Sequence, residues 1–218
     1  MRALLRETAQ PVAVVTSLMP SPDPARRSHS PSNFHGATLS SFTSISMSPH
    51  HLVAFSLRVP SRMATTLARL PLEASSRRTH MVINLLAAPQ ARVATLFSRP
   101  DLHPIPFEDP EIQWSLSPDG FPVLHGCLGA LSCRVVGAPW PLHDLVALGD
   151  SLTHKVEEAI DVGDVQSELF IAQVMRVEDV PQAEDLVDDT LRTLPLVYHR
   201  RGYTTTSERL PPDQKSGS

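Results

Sequence analysis

Apolar runs divide the chain into short extended segments separated by Pro- and Ser-rich breaks. Residues 11–18 carry three valines in an otherwise small-residue run and read as a buried strand. Residues 36–47 and 52–58 read as the next two strands, parted by Ser48-Pro49-His50-His51. Ser61 then caps a helix over 62–70, whose apolar residues Met63, Ala64, Leu67, Ala68 and Leu70 form a stripe. Residues 80–86 predict a further strand. Pro89 suits the first turn of a helix reaching about Phe97, with Val93, Leu96 and Phe97 on its buried side.

The second half is more broken. Residues 99–122 are Pro-rich, with a short strand around 113–115. Residues 123–136 read as one long strand with glycines at 126 and 129. Across 142–165 the pattern is ambiguous, with a short helix over 154–160 ended by Gly163. Residues 169–177 are a clear strand and 196–198 a last short one. Residues 19–34 read as a long exposed loop, and 204–218 as a disordered polar tail. Seven or so strands, two early helices and many Pro/Gly turns predict a mainly β fold, a closed barrel with short helical insertions occupying 1–203.

Composition narrows the function. The chain has 218 residues, 21 of them proline, and a formal net charge of −4. A nucleic-acid binder would carry a basic face, yet only the pairs Arg26-Arg27, Arg77-Arg78 and Arg200-Arg201 occur. No apolar run reaches membrane-spanning length. Met1 to Arg6 holds two arginines, but a strand follows at Pro11 and leaves little room for a signal. A cytoplasmic protein is expected, with a mitochondrial one as the alternative. Cys127 and Cys133 lie in one strand-like segment that would part them by roughly 20 Å, so buried free thiols are expected.

The candidate chemistry lies in His35-Gly36-Ala37-Thr38-Leu39-Ser40-Ser41-Phe42-Thr43-Ser44-Ile45-Ser46. A strand that only had to pack would use Val, Ile and aromatic residues. Hydroxyls in this density offer hydrogen bonds to a phosphate and a polar ring edge. Arg58, Ser61 and Arg62 follow one strand and a turn later, and a hairpin of 36–47 on 52–58 would gather these groups. A polar edge strand followed by an ordinary N-cap explains the same residues without a ligand.

These residues also carry a resemblance. Gly36-x-Thr38-x-Ser40-Ser41-Phe42-Thr43-Ser44-x-Ser46, then Pro49 and Leu52-Val53-Ala54-Phe55-Ser56, resembles the signature of flavin reductase-like proteins with the FMN-binding split barrel. Pro60-Ser61-Arg62-Met63-Ala64, Asn84-Leu85-Leu86 with Gln90, Ala94 and Phe97, Asp119-Gly120-x-Pro122-Val123-Leu124-x-Gly126, and Pro195 to Arg200 follow in the family's order. The resemblance implies a homodimer of split barrels holding FMN, or FAD in some members. It implies hydride transfer from NADH or NADPH to flavin N5, and a flavin-dependent monooxygenase as a partner. Thr38, Ser40, Ser41, Phe42, Thr43 and Ser44 would then line the ring and ribityl chain. Ser56, Arg58, Ser61 and Arg62 would meet the phosphate and ribityl groups, and Asn84, Leu85 and Leu86 would border the flavin through backbone and side chain. Such chemistry belongs to the cofactors, so no hydrolytic triad is needed.

Two departures stand out. Where many relatives carry an Asp-His pair and a glycine, this chain reads Gln166-Ser167-Glu168-Leu169-Phe170-Ile171-Ala172. That loss favours an alternative, an FMN-dependent oxidase or tailoring enzyme acting on an organic substrate; a non-catalytic flavin-binding protein is the third reading. His199 is the candidate catalytic residue on the nicotinamide side. His35 reads as a surface-loop histidine, Trp114 and Trp140 as core fillers, and no His/Cys/carboxylate spacing suggests a metal.

Overall fold

The computed structural model describes residues 2–19, 30–70, 78–143, 166–183 and 189–206. In chain order the strands are β1 (Gln10–Pro11), β2 (Ala13–Leu18), β3 (Phe34–Leu39), β4 (Thr43–Ser46), β5 (Leu52–Val59) and β6 (Met81–Leu85). They continue with β7 (Trp114–Leu116), β8 (Pro122–Leu124), β9 (Gly129–Val135), β10 (Trp140–Pro141), β11 (Gln166–Glu178), β12 (Val197–His199) and β13 (Gly202–Thr204). The helices that matter are α1 (Arg2–Leu5), α2 (Arg62–Arg69) and α3 (Ala91–Ser98).

One antiparallel sheet dominates, in the order β3-β2-β6-β9-β11-β5-β4, with β10 beside β11. Its two edges, β3 and β4, are consecutive in the chain and joined by Ser40-Ser41-Phe42 alone. The sheet therefore curls into a half-barrel whose open seam is spanned by three residues. The mainly β, split-barrel expectation holds, while the closed barrel read from the strand pattern is corrected to one left open between β3 and β4, which do not pair.

Period-two alternation fills the inside. Val53, Phe55 and Leu57 of β5, Met81 and Ile83 of β6, Cys133 and Val135 of β9, and Phe170 and Ala172 of β11 share one cluster. The stripe Met63, Ala64 and Leu67 of α2 plugs it. Phe55 stacks on Phe170 at 5.6 Å. β2 alternates between this cluster and a second one, in which Val12, Val14, Phe34, Phe97 and Phe107 meet. Burial on both faces explains why 11–18 reads as an unbroken apolar run.

α3 lies over β3 at close range. A Cβ on Gly36 would stand 2.5 Å from Phe97 Cδ1, so glycine is what lets that buried ring come so close to the strand. Thr38 Oγ1 donates to the Ala94 carbonyl at 2.6 Å. Asn84 is fully buried: Nδ2 donates to the Val14 carbonyl and to Thr16 Oγ1, while Oδ1 accepts the Leu124 N–H at 2.9 Å. One side chain thus ties β6, β2 and β8 together.

Several boundaries differ from the sequence reading. The expected strand 36–47 is two strands on opposite edges of the sheet, because the chain turns across the seam at Ser40-Ser41. The expected strand 123–136 is broken by a turn at 125–128, where Gly126 has φ 71°. The helix expected over 154–160 and most of the tail lie outside the described residues. Ser61 does cap α2, its Oγ accepting the Ala64 N–H at 3.1 Å. Both cysteines are buried and free. His35 is not a surface residue; it is 5% exposed on β3. Trp114 packs edge-on against Phe34 and Phe107, but Trp140 is 44% exposed and fills no core gap.

A second, small sheet runs in the order β1-β12-β13. Its hairpin closes through Arg200-Arg201, between the paired residues His199 and Gly202.

Candidate functional site

Ser56 and Arg58 alternate with the core residues of β5 and so face outward with Ala54. The register fixes their neighbours: Ala54 lies opposite Thr43 on β4 and Ile171 on β11, Ser56 opposite Leu169, and Arg58 opposite Ser167. Trp140 pairs with Leu169 from the other side. Directly opposed residues share a face. The outer surface is thus an apolar strip of Ala54, Ile171, Leu169 and Trp140, edged by Thr43, Ser56, Ser167 and Arg58. A flat, amphipathic ring system is the kind of group such a strip accepts.

The hydroxyl run borders this strip at the seam. Ser41 Oγ accepts the Ser56 N–H at 2.9 Å and donates to the Ser56 carbonyl at 3.2 Å, clamping the linker onto β5. Ser40, Ser41, Thr43 and Ser44 are exposed, and Ser44 Oγ reaches Met47 Sδ at 3.5 Å. Arg58 is exposed and Arg62 donates to the Pro104 carbonyl at 3.3 Å. Among the described residues neither guanidinium has a carboxylate partner. At the start of α2 the first-turn N–H groups of Arg62 and Met63 point out along the helix axis beside Ser61. Two guanidiniums, exposed hydroxyls and a helix start form a donor set that suits a phosphate.

Other expected site residues are engaged elsewhere. The Thr38 hydroxyl is committed to α3 and Phe42 packs into the interior cluster. Asn84 has its amide spent inside the barrel, on the Val14 carbonyl and the Leu124 N–H. Leu86 is buried in the second core cluster, and Leu85 is half-buried against the first. His199 sits on β12 in the separate small sheet. The apolar half of the strip, Leu169, Ile171 and Trp140, escaped the sequence reading. Its signal was the strict alternation of Leu169 and Ile171 with the core residues Phe170 and Ala172.

A cavity of about 360 Å³ lies elsewhere, between α3 and the 110–113 segment, with Val93, Leu96 and Ile112 in its wall. Another of about 360 Å³ lies against the small sheet. Neither includes the strip. A shallow open sheet face is the geometry of a site completed by something lying on it. Among the described residues no His, Cys and carboxylate groups cluster to hold a metal, and no helix is long and apolar enough to cross a membrane.

Comparison with known proteins follows this geometry. The model of the flavin reductase like domain matches residues 5–207. Nitrilotriacetate monooxygenase component B of Mycobacterium thermoresistibile is similar in structure at TM-score 0.62 and 23% identity, over 99% of this chain and 90% of that one. The styrene monooxygenase flavin reductase of Pseudomonas putida S12 gives 0.58 and 22%, over 96% and 99%. The NADH:FAD oxidoreductase of Streptomyces globisporus C-1027 gives 0.58 and 20%, over 95% and 92%. At these identities the likeness is one of fold.

Proposed function

The chain belongs to the flavin reductase-like family, and from that premise we propose that it is an NAD(P)H:flavin oxidoreductase that binds FMN on the outer strip of β4, β5 and β11. The observation that carries this reading is the juxtaposition of an apolar strip with two guanidiniums that have no carboxylate partner among the described residues and the exposed hydroxyls at the seam. When bound, the flavin supplies a two-electron acceptor that takes a hydride from reduced nicotinamide at N5.

The protein's part is to bind and orient. Ala54, Leu169 and Ile171 would give the ring an apolar surface and keep water from it. Ser40 would donate to its polar edge and side chain, while Ser41 and Thr43, whose hydroxyl hydrogens go to the Ser56 and Ser44 carbonyls, would offer it acceptors. Arg58, with Arg62 and the start of α2, holds the phosphate. Donors at the ring's N1/C2 edge favour the reduced state, where negative charge gathers. An open strip of this kind suits a homodimer in which a second copy covers the flavin, and release of reduced flavin to a partner monooxygenase. Relatives of similar fold are named as components of such two-component systems.

Ser167 gives one reason to keep a second reading. It stands opposite Arg58, so the imidazole that many relatives carry at this place is missing from the strip itself. An oxidase or tailoring enzyme driven by an organic donor fits that loss. One experiment separates the readings. The purified protein is titrated with FMN and with FAD by absorbance, then mixed with NADH or NADPH in a stopped-flow instrument. Bleaching by a nicotinamide with turnover of added flavin supports the reductase. Flavin binding without bleaching transfers support to the second reading. Failure to take up any flavin at micromolar concentration, or undiminished FMN binding in Ser61→Asp with Arg62→Glu, overturns the site.

A further inference from the structure

The cavity against the small sheet is lined by Arg6, Thr8, Gln10, Tyr198, Arg200 and Arg201. Three of its six residues are arginines, in a chain whose net charge is negative. Glu7 pairs with Arg200, with Oε2 at 2.8 Å from Nε. Among the described residues Arg6 and Arg201 have no carboxylate partner. The cavity therefore holds an excess of positive charge, focused in a concave space about large enough for a nucleotide's phosphate and sugar.

The backbone points the same way. Arg200 and Arg201 are the two central residues of the β12–β13 turn, with φ of 49° and 70°. A two-residue turn with both φ values positive selects Asn-Gly or a similar pair, because Cβ crowds the backbone carbonyl there and Arg, unlike Asn, has no short polar group to offset it. Among the described residues no other non-glycine residue has a positive φ. The chain thus places two arginines at its least suitable backbone positions, and both line the same cavity. Strain that stability alone would remove signals selection for something else.

We infer that this cavity is a second anion site, which takes a phosphate group of a dinucleotide cofactor. Its position fits such a ligand. Gln10 lies opposite Tyr198, and Ala13, three residues on, lies opposite Leu39, which precedes Ser40. Three extended residues span roughly 10 Å, so a dinucleotide reaching from the seam could set a phosphate among the arginines. Phosphate of the nicotinamide donor and phosphate of FAD share this chemistry. The inference rests on the proposed function only for the identity of the dinucleotide.

The test begins with inorganic pyrophosphate titrated calorimetrically into the full-length protein, a measurement that needs no flavin and no turnover. Arg6→Gln and Arg201→Gln should each weaken binding roughly tenfold, the effect of losing one charge-assisted contact. Arg200→Asn combined with Arg201→Gly should bind worst of all yet unfold at higher urea, because it supplies the residues the turn prefers. Its raised midpoint excludes misfolding as the cause. A higher KM for NADH or NADPH in these variants assigns the phosphate to the donor. Weaker FAD binding with FMN binding unchanged assigns it to the flavin. The inference is overturned if the wild type does not bind pyrophosphate saturably, if the variants bind it equally well, or if neither dinucleotide responds. Loss of flavin reduction with pyrophosphate binding intact would count against the proposed function and leave this site standing.

Discussion

Replacing His35 with asparagine should flatten the acid side of the protein's stability curve. The ring is 5% exposed on β3, and its Nε2 meets no hydrogen-bond partner among the described residues. Burial, and then the charge of Arg62, pull its pKa from 6.5 down to about 4, against a smaller opposing pull from a hydrogen bond to the Leu18 backbone. The unfolded chain takes up this proton near pH 6.5, while the folded chain refuses it until about pH 4. A depressed folded pKa contributes stability that is fully present above the unfolded value and is lost as pH falls toward the folded one. The whole shift corresponds to about 3 kcal/mol, of which about 2 kcal/mol is gone by pH 5. Asparagine keeps an N–H donor for Leu18 and cannot titrate. Urea unfolding of both proteins at pH 7 and pH 5 measures the difference, because the other histidines contribute equally to each. The wild type should lose about 2 kcal/mol more than His35→Asn between the two conditions. Equal losses would refute the assignment of a buried, neutral imidazole.

Further outcomes follow from the packing. Gly36→Ala drives a methyl into the Phe97 ring and should cost about 1–3 kcal/mol in urea unfolding; adding Phe97→Leu should recover part of it, and strict additivity would count against the contact. Asn84→Leu orphans the buried Leu124 N–H and should destabilise by about 2–4 kcal/mol, whereas a loss confined to flavin affinity would restore Asn84 to the binding surface. Cys127 and Cys133, whose burial pushes both thiols up to about 12, should resist a thiol reagent in the native protein and both react in denaturant. Rapid native labelling of either would contradict the core packing.

Much of this was legible because alternation and capping are local. Ser61 at the α2 N-cap and the inward set Val53, Phe55 and Leu57 follow from the sequence directly. The site was less legible, because a hydroxyl or an amide reads the same whether it serves a ligand or a neighbour. Thr38 and Asn84 sit inside the family signature, yet their polar atoms hold α3 and β8 in place. Gly36 belongs to the same signature and is required by a ring 61 residues away in the chain. The broken strand at 40–42 escaped notice because nothing in its composition announces that its halves lie on opposite edges of the sheet. His35 was misplaced for the same reason: the burial that covers it, and the Arg62 charge it feels, depend on how β3 is set in the sheet and come from other parts of the chain.

The clamp of Ser41 on Ser56 has a consequence for ligand loading. The Ser56 amide hydrogen is held by a side chain that reaches over from the linker, and not by a neighbouring strand. Its exchange with deuterium therefore reports the opening of that one latch. If the proposed site is right, a flavin seated on the linker would have to leave before the latch could lift, so mass action would slow exchange at Ser56 as occupancy rises. A single amide thereby becomes a gauge of how full the cradle is.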